Sequence, residues 1–258
     1  MKALWNSFII AFAMFSKIPM PRADWTKNNM KYMFCFFPAI GAVIGLLDAA
    51  ACRIMMKAGM APGFMAAVLV LIPVIVTGGI HVDGLLDTAD ALASWQERKR
   101  RLEILKDSHT GAFAVIACCV YFLGLYGSYV QILESGNETA IFVLCIGFVL
   151  SRCFSAAGVL TFPKAREDGT VAEFSKNSSD FFSLIVVIFW IIAAVCVMMK
   201  LLPVYGIAVF LTAFAVFGYY HHMALKQFGG TTGDISGWFL CVCEVMMAFV
   251  TAVLTGII

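Results

Sequence analysis

Three aspartates in register mark where this sequence could do chemistry. Asp83, Asp87 and Asp90 stand at i, i+4 and i+7 in Gly78-Gly79-Ile80-His81-Val82-Asp83-Gly84-Leu85-Leu86-Asp87-Thr88-Ala89-Asp90. On a helix that spacing puts all three carboxylates on one face, about one turn apart. Such a row repels itself and calls for a compensating cation, and clustered carboxylate oxygens favour hard ions such as Mg²⁺. For Asp83 alone, a solvated charge at a helix N-terminus is the simpler account. Three in register with His81 beside them, at the edge of an apolar run and after a flexible Gly-Gly, favour a metal site. His81 reads equally as an interfacial histidine or as a base.

Other polar segments have a related character. Lys106-Asp107-Ser108-His109-Thr110-Gly111 combines cationic and polar groups with a glycine that lets backbone N–H groups approach an anion, which suits a phosphate-bearing ligand or an ordinary helix cap. Arg98-Lys99-Arg100-Arg101 reads as a lipid-headgroup patch more readily than as a phosphate site. Pro163-Lys164-Ala165-Arg166-Glu167-Asp168-Gly169 and Gly229-Gly230-Thr231-Thr232-Gly233-Asp234 complete the set. The second could cradle phosphate and hold an ion, or serve as a flexible connector; it lacks the Gly-Lys-Ser/Thr ending of a Walker loop.

The elements that must position these residues are membrane helices. With 62% hydrophobic and 13% charged residues and a mean hydropathy of +0.91, the chain has too few charges to coat a water-soluble surface. Seven apolar runs approach the roughly 20 residues of a span: 34–51, 62–80, 113–133, 140–161, 181–199, 204–222 and 237–258. The first is short and ends near Asp48, as a tilted or partial span would. The segment 4–15 is too short to cross and reads as an interfacial or re-entrant helix, with Trp5, Phe8, Phe12 and Phe15 in lipid. The expected fold is an all-α polytopic membrane bundle, one transmembrane domain over 1–258. The nine cysteines lie mostly within apolar runs, without disulfide or zinc spacing.

Seven crossings place fourteen of the 18 Lys and Arg on one side, three on the other, and Arg152 within a span. The basic side is then cytoplasmic, and it carries the catalytic loops 81–112, 162–180 and 224–236. A net charge of +2 gives no support to nucleic-acid binding. Arg152 and Glu244, at similar depth within their spans, read either as an inter-helix salt bridge or as part of the site. Asp48 reads as structural.

The combination His81-x-Asp83-Gly84-Leu85-x-Asp87-x-x-Asp90, Lys106-Asp107-Ser108-x-x-Gly111 and Gly229-Gly230-x-Thr232-Gly233-Asp234, with Glu244 downstream, resembles the cobalamin synthase family of adenosylcobinamide-GDP ribazoletransferases. The likeness extends from Phe15-Ser16-Lys17-Ile18-Pro19-Met20-Pro21 to the last span. It implies an enzyme of the inner membrane that transfers α-ribazole, or its 5′-phosphate, onto adenosylcobinamide-GDP with Mg²⁺ and releases GMP. Carried onto this chain, it implies Mg²⁺ at Asp83, Asp87 and Asp90 with Asp107 or Asp234 completing the set, and His81 as a base. Lys106, Ser108, Arg166, Gly229, Gly230, Thr232 and Gly233 would bind substrate. An oligomer is left open.

Two alternatives compete. Membrane CDP-alcohol phosphotransferases also displace a nucleotide with an alcohol, but their Asp-x-x-Asp-Gly-x-x-Ala-Arg spacing is absent, which leaves only analogy of mechanism. A cation-coupled transporter would place its acids near the membrane midplane, whereas this acidic row lies at the membrane edge.

Overall fold

The computed structural model describes residues 2–107, 109–166 and 180–257, and among these the regular elements are all helical. In chain order they are α1 (Lys2–Phe15), α2 (Lys27–Met30), α3 (Met33–Lys57), α4 (Pro62–Thr77), α5 (Ile80–Ala93), α6 (Arg98–Ile104), α7 (Ala112–Glu134), α8 (Glu138–Thr161), α9 (Asp180–Leu201), α10 (Pro203–Met223) and α11 (Gly233–Ile257). Lipid offers no hydrogen-bond partners, so a chain this apolar satisfies its backbone within helices. Six of them (α3, α7, α8, α9, α10 and α11) are long and apolar enough to cross a bilayer. The protein is an integral membrane protein.

α8 is the axis of the bundle. Its side chains are buried over most of its length, whereas α9 turns Phe189, Ile192 and Ile185 outward, as lipid-facing positions require. α3 lies against α8 through Gly41 and Gly45. A Cβ at either position would come within 2.2 Å of a carbonyl oxygen of α8, those of Phe148 and Cys145. This is a small-xxx-small contact, in which missing side chains let two backbones meet.

Two expectations are corrected here. The first span is not short: α3 runs 25 residues, about 38 Å at 1.5 Å per residue, straight through Asp48, which is 1% exposed. The aromatic face of α1 does not lie wholly in lipid either. Phe12 is buried, and Phe15 packs on Phe37 of α3 with ring centroids 4.4 Å apart, so α1 is a layer of the bundle that leaves Trp5 on its outside.

α4 ends sooner than the apolar run. Gly78 and Gly79 both adopt positive φ (66° and 79°), a conformation that stops one helix and lets the next start in a new direction. α5 leaves at 93° to α4 and so runs along the face of the bundle, outside the spans. The Lys17 N–H donates to the Val76 carbonyl at 2.7 Å, which places the end of α4 level with the segment that leads into α3. α4 is 16 residues long, and as a bent pair with α5 it raises the number of crossings from six to at most seven.

Candidate active site

The site is built where α5 crosses α11. Gly84 lies so close to α11 that a Cβ there would meet the Asp234 carbonyl oxygen at 2.6 Å and its Cα at 3.0 Å. One turn along α11, a Cβ on Gly237 would stand 3.2 Å from the His81 carbonyl oxygen. These two glycines let the backbones meet. The buried stripe of α5 is His81, Gly84, Leu85, Thr88 and Ala91, which leaves Asp83 exposed and Asp87 half-buried at the edge, beside Asp234.

Asp87 reports the crowding. Burial first, then the charges of Asp83, Asp234 and Asp90, push its pKa from 3.8 up to about 6. The carboxylates thus sit close enough to repel one another. Among the described residues no three His, Cys, Asp or Glu side chains converge as a metal site, so an ion would have to draw these carboxylates inward. Their chemistry fits a hard divalent cation: oxygen donors only, with surplus negative charge.

Asp90 has a distinct role. One of its oxygens accepts from Gly111 N–H at 2.6 Å and the other from Ala114 N–H at 2.8 Å. Asp90 therefore caps α7 and ties it to α5. Gly111 is required for that approach, since a Cβ there would lie 2.7 Å from the Asp90 carboxylate. Asp107 stands apart from the group around Asp87. Its Oδ1 bonds the His109 ring nitrogen at 2.6 Å on an exposed stretch, and that bond lowers its pKa. Lys106 is exposed beside it, and Ser108 lies outside the described residues.

The glycine-rich segment before α11 is bonded inward. The N–H groups of Gly229, Gly230 and Thr231 donate to Leu225, Ala224 and Pro163 carbonyls, so they are not available to cradle a phosphate. Thr231 and Lys164 form a short parallel bridge that joins this segment to the exit of α8. Gly230 is needed there, because a Cβ would meet the Pro163 oxygen at 2.4 Å. The Thr232 hydroxyl accepts from Ile235 N–H at 3.2 Å and caps α11. Gly233 is exposed at the helix start.

Two arginines reach this junction. Arg166 acts electrostatically on Asp234, and among the described residues its Nη2 is buried without a hydrogen-bond partner. The guanidinium of Arg98 lies flat on Gly229, where any side chain would collide with it, and Arg101 donates to Gln227. By sequence, Arg98 and Arg101 read as part of a headgroup patch. Only the folded chain shows that they lie against the turn before α11.

Beneath the carboxylates is a cavity of about 190 Å³. Asp83, Asp234, Ser155 and Ser236 give it polar groups, while Phe15, Phe34 and Phe37 supply much of its apolar wall. The His81 ring also borders it, stacked on Phe15 at 6.5 Å and edge-on to Phe37 at 5.9 Å. Burial, helped by the charge of Arg152, pushes the His81 imidazole down to about 3. His81 is therefore neutral at physiological pH and a weak base. Deeper in the bundle, Arg152 Nη1 donates to Glu244 Oε1 at 2.5 Å and to Ser151 Oγ at 3.0 Å, which makes this pair an inter-helix lock between α8 and α11.

Comparison with known proteins decides the family. Residues 7–252 match the model of the CobS family, cobalamin-5-phosphate synthase. The chain belongs to this family. It is 40% identical over 253 residues to the adenosylcobinamide-GDP ribazoletransferase of Lachnoclostridium phytofermentans, covering 98% of this chain and 95% of the relative. It is 31% identical to that of Geobacillus kaustophilus, covering 92% and 91%, and 29% identical to one from Clostridium botulinum strain Alaska E43, covering 99% and 100%. No solved structure matches the chain. As a cobalamin synthase it is a transferase of cobalamin biosynthesis, and the junction of α5 and α11 is where Asp83 and Asp87 come together with Asp234.

Proposed function

We propose that this cobalamin synthase joins adenosylcobinamide-GDP to α-ribazole, or to α-ribazole 5′-phosphate, with Mg²⁺ at the junction of α5 and α11. Asp83, Asp87 and Asp234 would hold the ion. When bound, Mg²⁺ neutralises charge on the reacting and leaving phosphate oxygens. Arg166 acts on Asp234 and Arg98 lies against Gly229 in the turn before α11, and both suit the phosphates of the donor, since a guanidinium pairs well with phosphate oxygens. The acceptor hydroxyl forms a bond to the cobinamide-bearing phosphorus as the bond from that phosphorus to GMP breaks. Displacement of this kind needs positioning and charge neutralisation more than a strong base, which agrees with a neutral, buried His81. Its role is to shape the cavity wall, and the hydroxyl proton passes to water at the exposed mouth beside Asp83.

The observation that carries this reading is the approach of α5 to α11 at Gly84, which adds Asp234 to a carboxylate row already short of counter-charge. The basic face carrying these loops would be cytoplasmic, where nucleotide substrates are made. The test is to incubate purified protein in lipid with adenosylcobinamide-GDP, α-ribazole and Mg²⁺. GMP and a cobalamin product are expected, and both should vanish with EDTA. Folded protein that releases no GMP overturns the assignment, and turnover that survives EDTA removes the metal from it.

A further inference from the structure

The cavity below the carboxylates is more specific than a general substrate cleft, and on the reading above we propose that it seats the aromatic base of the acceptor nucleoside. Size comes first. Apolar cavities of about 150 Å³ enclose a benzene ring, so about 190 Å³ has room for a fused bicyclic ring. It is smaller than the roughly 300–1,000 Å³ that encloses a whole drug-sized ligand, so it matches one ring system better than a corrinoid or a whole nucleotide. Charge comes second. Among the described residues no Lys or Arg lines the cavity, and its charged lining residues are Asp83 and Asp234, so this lining disfavours the diphosphate half of the donor and accepts a neutral group.

Shape and polarity are the third consideration. Phe15, Phe34 and Phe37 offer ring faces and edges to a planar occupant, with His81 held between Phe15 and Phe37. The Ser155 and Ser236 hydroxyls bond each other at 2.7 Å, so beyond the Asp83 and Asp234 carboxylates, which only accept, the wall has little to pair with the acceptors of a purine edge. Guanine buried here would leave donors and acceptors unpaired, at a cost that an alkylated benzimidazole avoids. A base in this cavity places its ribose at the mouth, between Asp83 and Asp234. That puts an acceptor hydroxyl beside the carboxylates, while the donor phosphates stay outside with the arginines.

The test separates this seat from the catalytic reading. Calorimetric titration of the purified, Mg²⁺-free protein with benzimidazole should show saturable binding, while guanosine should bind at least about tenfold more weakly. Val159→Trp, which fills the cavity from a buried lining position, should abolish benzimidazole binding while thermal unfolding shows a folded protein. Phe37→Leu keeps most of the volume but removes an aromatic face; it should raise the KM for α-ribazole up to about tenfold and leave the KM for adenosylcobinamide-GDP unchanged. Guanosine binding as tightly as benzimidazole, no benzimidazole binding to the wild type, or a Phe37→Leu effect on the donor KM instead would overturn the proposal. Benzimidazole binding in a protein without turnover would sink the catalytic reading and leave the aromatic seat standing.

Discussion

Two ionic centres of this molecule are built in opposite ways. Deep in the bundle, Arg152 and Glu244 form a pair of opposite charges in direct contact, 1% and 6% exposed at their side chains, with Ser151 adding a further bond. At the face, Asp83, Asp87 and Asp234 share one sign, and among the described residues Arg166 is the cation that acts on Asp234. The first centre sets each charge directly against its opposite within the protein. The second is short of positive charge, and its cost is visible in the raised pKa of Asp87. A compensated pair locks helices together, whereas an uncompensated group is stable only when something else brings the charge, and that difference separates architecture from site.

Substitutions should split along the same line. Asp87→Asn is expected to lower turnover about a thousandfold or more, since charge neutralisation by a metal supplies several kcal/mol of transition-state stabilisation. It should also make the metal-free protein more stable, because it removes repulsion. Steady-state kinetics and thermal unfolding in the same detergent measure both effects. A less active and less stable variant would place Asp87 with the structural charges.

Glu244→Gln should do the reverse and act first on stability. It strands Arg152 in the bundle at a cost of about 3–5 kcal/mol, read as a lowered Tm. The double variant Arg152→Met/Glu244→Leu should recover much of that loss, because it removes both charges together. If the double variant folds well but has no turnover, the pair belongs to the site as well as to the scaffold.

The smallest effect should come from Asp90, which by sequence belongs to the acidic row and by structure caps α7. Asp90→Asn keeps a capping oxygen and should retain activity within about tenfold, whereas Asp90→Ala should cost about 1 kcal/mol of stability. A loss in Asp90→Asn as deep as in Asp87→Asn would return Asp90 to the metal.

The spans were legible because a run of about 20 apolar residues is a local signal that needs no partner to be read. The break between α4 and α5 was less visible, although Gly78-Gly79 carried it: hydropathy continues across the pair, and only their positive φ turns the chain. Gly41 and Gly45 also carried a small-xxx-small signal, but spacing alone does not name α8 as the partner. At the site, the register of Asp83 and Asp87 follows from spacing alone, whereas the sequence leaves Asp107 and Asp234 as alternatives beside them. The division of labour within the row does not follow from spacing, because it depends on where Gly111 and Ala114 fall after a connection folded as α6. For the same reason Arg98 reads by sequence as part of a headgroup patch: its contact with Gly229 exists only once two remote segments meet. Thr232, just ahead of an apolar run, carried an ordinary capping signal that the phosphate-loop reading obscured.

The central claim, that the face cluster is completed by a divalent cation, is tested most directly by following Tm during Mg²⁺ titration of the wild type and Asp87→Asn at about pH 7.5 and about pH 5. Because the folded pKa of Asp87 is raised from 3.8 to about 6, this group penalises the metal-free fold above pH 6, and the penalty fades as pH falls toward 4. Mg²⁺ should therefore raise the wild-type Tm strongly at pH 7.5 and weakly at pH 5, where protons compete for the same oxygens. Asp87→Asn should start higher at pH 7.5 and respond little. Equal Mg²⁺ responses in the two proteins, or none in the wild type at pH 7.5, would contradict the account.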